Sequence, residues 1–375
     1  MYLQSDILGR PAADIDTPAL VIDLDAMERN LARMAAFAVQ HGVKLRPHAK
    51  MHKSAALAKL QMAHGAVGVC VQKTSEAEAL AALGVNDIYI SNEVVSPFKL
   101  RRVAALAREL EALGGQLAIA VDSAHGLRRL AQALHGQHCV IRVFIEIDVG
   151  HGRCGLTPGA AAVPLATEIA RHAALKFGGL QAYHGSAQHF RTAAERREAV
   201  ARVVAQVETT QAALQAAGHA VPLVTGAGTG TFAWEAASGV YGELQAGSYL
   251  FMDRDYADNE PDPAQPVFEH ALFVKSQVMS VSASHAVVDA GHKSHAIDSG
   301  LPAVHGLALD YANGGDEHGI LRGAVLPALG DTVWLIPGHC DPTVNLHDYL
   351  LGVRGGLQHG TVEQLIKVDA RGALT

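Results

Sequence analysis

The chain has 375 residues, enough to bury more than one core, and its 49% hydrophobic content is that of a globular rather than a disordered protein. Its 30 Lys and Arg stand against 37 Asp and Glu, a net charge of −7 with no basic run to neutralise a row of phosphates, which excludes nucleic acid as a partner. No basic stretch followed by an apolar one opens the chain, and no segment is long and uncharged enough to span a bilayer, so no membrane partner and a cytoplasmic location are expected. Cys70, Cys139, Cys154 and Cys340 lack any CxxC spacing, which argues against a disulfide framework or a four-cysteine zinc site.

From residue 20 to about 250, short apolar β-rich runs alternate with longer amphipathic ones. The candidate strands are 43–48, 67–71, 87–91, 117–122, 140–148, 177–183, 222–226 and 243–247. Between them lie helical stretches such as SAALAKLQMAHG, SPFKLRRVAALARELEALG and TAAERREAVARVVAQVETTQAALQAAG, entered at Ser or Thr and left at Gly. Eight strands with intervening helices predict an α/β fold, a (β/α)8 TIM barrel. Beyond residue 250 the texture changes to short strands and turns, so residues 251–375, with residues 1–19, are expected to form a second, β-rich domain.

Barrel enzymes build their sites at the strand ends that carry the βα loops, and the motifs of this chain fall there. The first strand ends in Arg46-Pro47-His48-Ala49-Lys50-Met51-His52-Lys53, which brings an amine, Lys50, to the barrel mouth as a candidate Schiff-base former. Taken alone, Lys50 and Lys53 read as surface lysines, and Lys53 is a rival for the role. The fifth strand ends in the glycine-rich EIDVGHGRCGL, where Arg153 can hold a phenolate or carboxylate oxygen. The sixth ends in Gln181-Ala182-Tyr183-His184-Gly185-Ser186, bringing an aromatic hydroxyl and an imidazole to the rim. His184 is the candidate general base, although a chain with 21 histidines gives any one of them a low prior. The seventh runs into Thr225-Gly226-Ala227-Gly228-Thr229-Gly230-Thr231 and a helix, a pattern that suits a monophosphate and lacks the Lys-Ser/Thr of a nucleotide-binding loop. Gly247, Ser248 and the Tyr249 hydroxyl after the eighth strand are expected to complete that cradle.

This spaced set resembles the fold-type III pyridoxal-phosphate enzymes, the alanine racemase class. More narrowly, RPHAKMHK, the YHG segment, TGAGTGT, ELQAGSYLFMD and PGHCDPTVNLHD resemble the D-threonine aldolase and D-serine dehydratase family, over most of the chain. The resemblance implies pyridoxal 5′-phosphate on Lys50, Arg153 near its phenolic oxygen, Tyr183 beside its ring, and Gly228, Thr229 and Ser248 around its phosphate. In the late motif His339 and Asp341 are one residue apart, so an extended segment projects both to one face and Cys340 to the other. Imidazole plus carboxylate suits Mn²⁺, with Mg²⁺ or Co²⁺ as alternatives, whereas a thiolate favours Zn²⁺.

Within this family the dehydratases look like His-x-Cys and the aldolases like His-x-Asp, and this chain has His-x-Asp. The implied activity is metal-assisted cleavage of D-β-hydroxy-α-amino acids to glycine and an aldehyde, with His184 taking the hydroxyl proton directly or through a water. Rivals are a 3-hydroxy-D-aspartate aldolase, a D-serine or D-threo-3-hydroxyaspartate dehydratase, an amino-acid racemase and, from another class, a non-catalytic pyridoxal-phosphate carrier. A small-molecule substrate and, by analogy, a homodimer are expected.

Overall fold

The computed structural model describes residues 4–375. Among these, the strands form two sheets. The first is parallel throughout and eight-stranded: Lys44–Leu45, Val69–Val71, Asp87–Glu93, Gln116–Val121, Ile141–Glu146, Leu175–Ala182, Val224–Gly226 and Glu243–Leu244. Each falls within or overlaps one of the eight predicted runs. Runs such as Ile88–Ile90 and Val143–Ile145 are buried on both faces, as parallel strands covered by helices must be. The first and last strands pair directly, Lys44 with Glu243 and Leu45 with Leu244. A bridge between His48 and Cys70 joins the first strand's extension to the second strand and closes the ring.

Helices Ala55–Ala63, Pro97–Ala112 and Ala193–Ala216 pack outside this barrel. The longest begins with Thr192 accepting from the Glu195 amide while Glu195 reaches back to the Thr192 amide, so orphan donors at the helix start are satisfied reciprocally. Inside the ring, Tyr89 and Phe144 pack against each other, and the buried Arg46 donates to Glu243 (3.0 Å) and Asp87 (2.5 Å). The interior is thus a filled core, and the open space lies above it at the strand ends.

The second sheet is mixed. Its long central strand Leu272–Val281 pairs antiparallel with Ala19–Asp23, Thr332–Ile336 and Ala286–Val288. Ala19–Asp23, mostly inside the span expected of the barrel, therefore belongs to this sheet, where Ala19–Ile22 are buried and Val21 pairs in parallel with Leu351 of Tyr349–Arg354. Only two short helices, Arg254–Ala257 and Cys340–Val344, interrupt the chain after residue 250. The α/β barrel with a C-terminal β-rich domain is the architecture the sequence predicts.

Candidate active site

A cavity of about 290 Å³ opens at the carboxyl ends of the barrel strands and is lined by residues of several βα loops. Lys50, Arg153, Tyr183, Gly228, Thr229, Gly247 and Ser248, all predicted from the sequence, line it together. A larger groove of about 1340 Å³, walled by Phe268, His305, Trp334 and Leu357, holds none of the predicted residues.

Lys50 sits at the mouth with 40% of its side chain accessible, and its ammonium contacts the Asp341 carboxylate. Burial works against the ammonium, but Asp341 and the nearby Tyr183 outweigh it and raise the Lys50 pKa. Burial likewise opposes the Asp341 anion, and Lys50 and His339 more than offset that, lowering its pKa. Lys53 does not compete for this place. Its side chain is 7% exposed, pairs with Glu76 at 3.2 Å, and donates to the Ala370 carbonyl.

Opposite Lys50, the turns after the seventh and eighth strands approach each other. Among the described residues the backbone amides of Gly228, Thr229, Gly247 and Ser248 donate to no other group of the chain, although all four residues are buried. Buried amides are almost always paired, so four unpaired ones around one cavity fit an anion with several acceptor oxygens. A Cβ at Gly247 would lie 2.7 Å from the His48 carbonyl oxygen, so backbone approach requires that glycine, and a Cβ at Gly228 would lie 2.5 Å from Gln188 Oε1, which would have to shift. Gln188 pins the first turn by accepting from the Gly230 amide and donating to Thr231 Oγ1, both at 2.9 Å. Ala227 is held at φ +69°, a strained conformation for a residue with a Cβ.

Three predicted residues stand elsewhere. Thr225 Oγ1 points one layer down, donating to Glu243 and accepting from Gln245 Nε2, both at 2.8 Å, so it supports a lining residue without lining the cavity itself. The Tyr249 hydroxyl accepts from Gln61 Nε2 at 3.2 Å under the Ala55–Ala63 helix, because its ring is drawn into the apolar cluster with Phe268. Only its amide meets the cradle, donating to Thr229 Oγ1 at 3.1 Å. His184 is not among the residues that line the cavity. Its Nδ1 accepts from the Ala187 amide at 3.4 Å, and burial with the neighbouring His151 lowers its pKa, so the ring is neutral near pH 7.

His48, Gln72, Gln181, Gln245 and Tyr256 line the cavity but were not singled out from the sequence. Gln72 Nε2 donates to His48 Nε2 (2.9 Å) and to the Ser91 carbonyl (3.3 Å), which leaves the His48 proton on Nδ1. That Nδ1 is buried without a partner, and burial plus Lys50 keeps the ring neutral. The signal was available: His48 lies two residues before Lys50, at the end of the first strand's extension.

The late motif reaches the mouth from the second sheet, by a different local geometry from the one expected. His339 is extended (φ −144°, ψ 126°), but Cys340 starts a helix whose first turn holds Asp341 and Pro342, residues that favour helix starts. Cys340 is fully buried with Sγ on the Met252 carbonyl, while His339 Nε2 comes within 3.7 Å of Asp341 Oδ1. Asp341 Oδ1 is itself buried and unpartnered. An imidazole nitrogen 3.7 Å from an unpartnered carboxylate oxygen fits a divalent ion.

A second group of ligand-type side chains, Glu93, Asp122 and Cys154, converges at the ends of the third and fourth strands and in the loop after the fifth. Here burial and Glu93 push the Cys154 thiol up to about 11.

Residues 22–255 match the family model for the alanine racemase N-terminal domain, and residues 271–353 match that for a putative serine dehydratase domain. The chain belongs to this family of enzymes and is of the aldolase, carbon–carbon lyase type. It is 47% identical to a D-threonine aldolase of Arthrobacter sp. over 97% of this chain and 95% of that one. It is 42% identical to a 3-hydroxy-D-aspartate aldolase of Paracoccus denitrificans over 97% and 94% of the two chains. The solved D-threonine aldolase of Filomicrobium marinum superposes with a TM-score of 0.94 at 47% identity, covering 98% of this chain and 99% of that one. Among the described residues no helix is long and apolar enough to cross a membrane.

Proposed function

We propose that this protein is a metal-activated, pyridoxal-phosphate-dependent D-threonine aldolase that cleaves D-β-hydroxy-α-amino acids to glycine and an aldehyde. The observation that carries the reading is the meeting of Lys50 with Asp341: a barrel-mouth amine touches a carboxylate brought from the second sheet. In this reading a cofactor site and a metal site would be neighbours.

In this reading Lys50 would hold the cofactor, the amides of Gly228, Thr229, Gly247 and Ser248 its phosphate, and His339 with Asp341 a divalent ion, with Mn²⁺ the first choice. When bound, the cofactor supplies an electron sink for a carbanion, and the ion makes a neighbouring hydroxyl more acidic. Arg153 and Tyr183 line the side of the cavity, the guanidinium carbon 5.9 Å from the tyrosine ring centre, and would orient the cofactor ring. The neutral imidazole of His184, which follows the lining residue Tyr183, would take the β-hydroxyl proton through a water. Cys340, turned into the core, leaves the clamp as His-x-Asp, which favours aldol cleavage over dehydration.

The 42% relative keeps a hydroxyaspartate aldolase as the second reading. Product analysis separates these cases, using protein reconstituted with pyridoxal phosphate, stripped by chelator and assayed with and without Mn²⁺. Glycine and acetaldehyde from D-threonine only with metal are expected. Preferred release of glyoxylate from 3-hydroxy-D-aspartate would install the second reading, and 2-oxobutanoate with ammonia would sink both.

A further inference from the structure

Asp298 is a feature that neither the motifs nor the proposed chemistry uses. It lies between the central strand and the late motif, 41 residues before His339, with its carboxylate on the far side of the His339 ring from Asp341. His339 Nδ1–H donates to Asp298 Oδ2 at 2.7 Å, and Ser299 Oγ donates to the same carboxylate oxygen at 3.3 Å. The loop that carries Asp298 is braced on both sides. The Ala296 amide donates to Thr343 Oγ1 (3.0 Å), whose hydroxyl donates to the His339 carbonyl (2.7 Å), and Arg254 donates to the Leu301 carbonyl (3.0 Å).

A neutral imidazole carries one proton on either nitrogen, and only the other nitrogen can bind a metal. With the proton held on Nδ1 by a carboxylate, the lone pair is left on Nε2, the nitrogen that faces the unpartnered Asp341 Oδ1. We infer that Asp298 is a positioning residue for the metal clamp: it fixes the tautomer and plane of His339 so that Nε2 and Asp341 Oδ1 converge on a divalent cation. The inference rests on the metal reading of His339 and Asp341. The bland alternative is a surface ion pair, since Asp298 keeps 52% of its side chain exposed, and such pairs contribute little. An exposed ion pair of that kind would have no effect on metal affinity.

The test is a calorimetric titration of Mn²⁺ into chelator-stripped protein loaded with pyridoxal phosphate, for the parent and for Asp298→Ala, Asp298→Asn and Asp341→Asn. Loss of a carboxylate behind a metal-binding histidine weakens affinity by about 10- to 100-fold. Asp298→Ala is expected in that range. Asp298→Asn, which keeps an acceptor oxygen but not the charge, should fall between it and the parent. Cofactor absorbance should be unchanged in both. A parent that binds Mn²⁺ and loses it in Asp341→Asn, with Asp298→Ala within twofold of the parent, overturns the role of Asp298 alone. A parent that binds no Mn²⁺, or an Asp341→Asn variant that binds it equally well, overturns the clamp and this inference with it.

Discussion

The two halves of the candidate site are built from different materials. On the proposed phosphate side the donors would be backbone amides at Gly228, Thr229, Gly247 and Ser248, and the side chains there matter mainly for being small. On the proposed metal side the donors would be two side chains, His339 and Asp341, held out by a strand-to-helix junction of the other sheet. A backbone cradle is insensitive to side-chain chemistry and sensitive to volume, whereas a side-chain clamp is the reverse. The first suits an anchor common to many reactions, and the second suits the part that selects one of them.

The largest effect should come from the residue that joins the halves. Lys50→Ala removes the amine that faces both, and activity should fall by about a thousandfold or more. The visible absorbance of the lysine-bound cofactor should vanish with it; a spectrum like the parent's would move the anchor elsewhere. Next comes the clamp. Asp341→Asn should weaken Mn²⁺ binding by more than about 100-fold while the cofactor spectrum stays near the parent's. Asp341→Cys sharpens the contrast, because a thiolate in that position should turn metal preference toward Zn²⁺. Retained Mn²⁺ preference in that variant would place the ion on other ligands.

The same division explains what was legible in the sequence. The barrel strands were, because parallel strands buried on both faces read as unbroken apolar runs between amphipathic helices. The cavity lining after the seventh and eighth strands was, because clusters of small residues at late βα turns mark a close backbone approach. Thr225 and Tyr249 belong to the same clusters, yet their side chains answer to Glu243 and Gln61 instead, partners 18 and 188 residues distant. Spacing cannot report such contacts. The convergence of His339 and Asp341 was expected from strand alternation and is achieved instead by a helix start at Cys340. Gln72, Gln181 and Gln245 passed unnoticed because a glutamine at a strand end has no motif of its own.

Smaller effects test the backbone half. Gly247 has φ −114°, which any residue can adopt, so Gly247→Ala isolates volume: its new methyl would sit 2.7 Å from the His48 carbonyl oxygen. Overpacking against backbone costs about 1–3 kcal/mol, so cofactor affinity should fall about 5- to 100-fold with Mn²⁺ affinity unchanged. Parallel loss of both would mean that the halves are not separable.

The mildest prediction concerns Glu146, a titratable carboxyl buried at the end of the fifth barrel strand. Burial, then Glu93 beside it, pushes the Glu146 carboxyl from 4.5 up to about 9. Below about pH 4.5 folded and unfolded chains both hold this proton, so it contributes nothing to the pH dependence. Between about 4.5 and 9 the folded chain keeps a proton that the unfolded chain has released, so stability falls as pH rises through that window. Glu146→Gln is neutral at every pH and removes that slope. Its melting temperature should match the parent's near pH 5 and exceed it by on the order of 5 °C at pH 8, measured by calorimetry. An advantage that does not grow between the two pH values would assign the proton to another group. The amide rim carries no titratable charge, so Gly247→Ala should shift melting equally at both pH values, and that contrast separates a site held by dipoles from one held by protons.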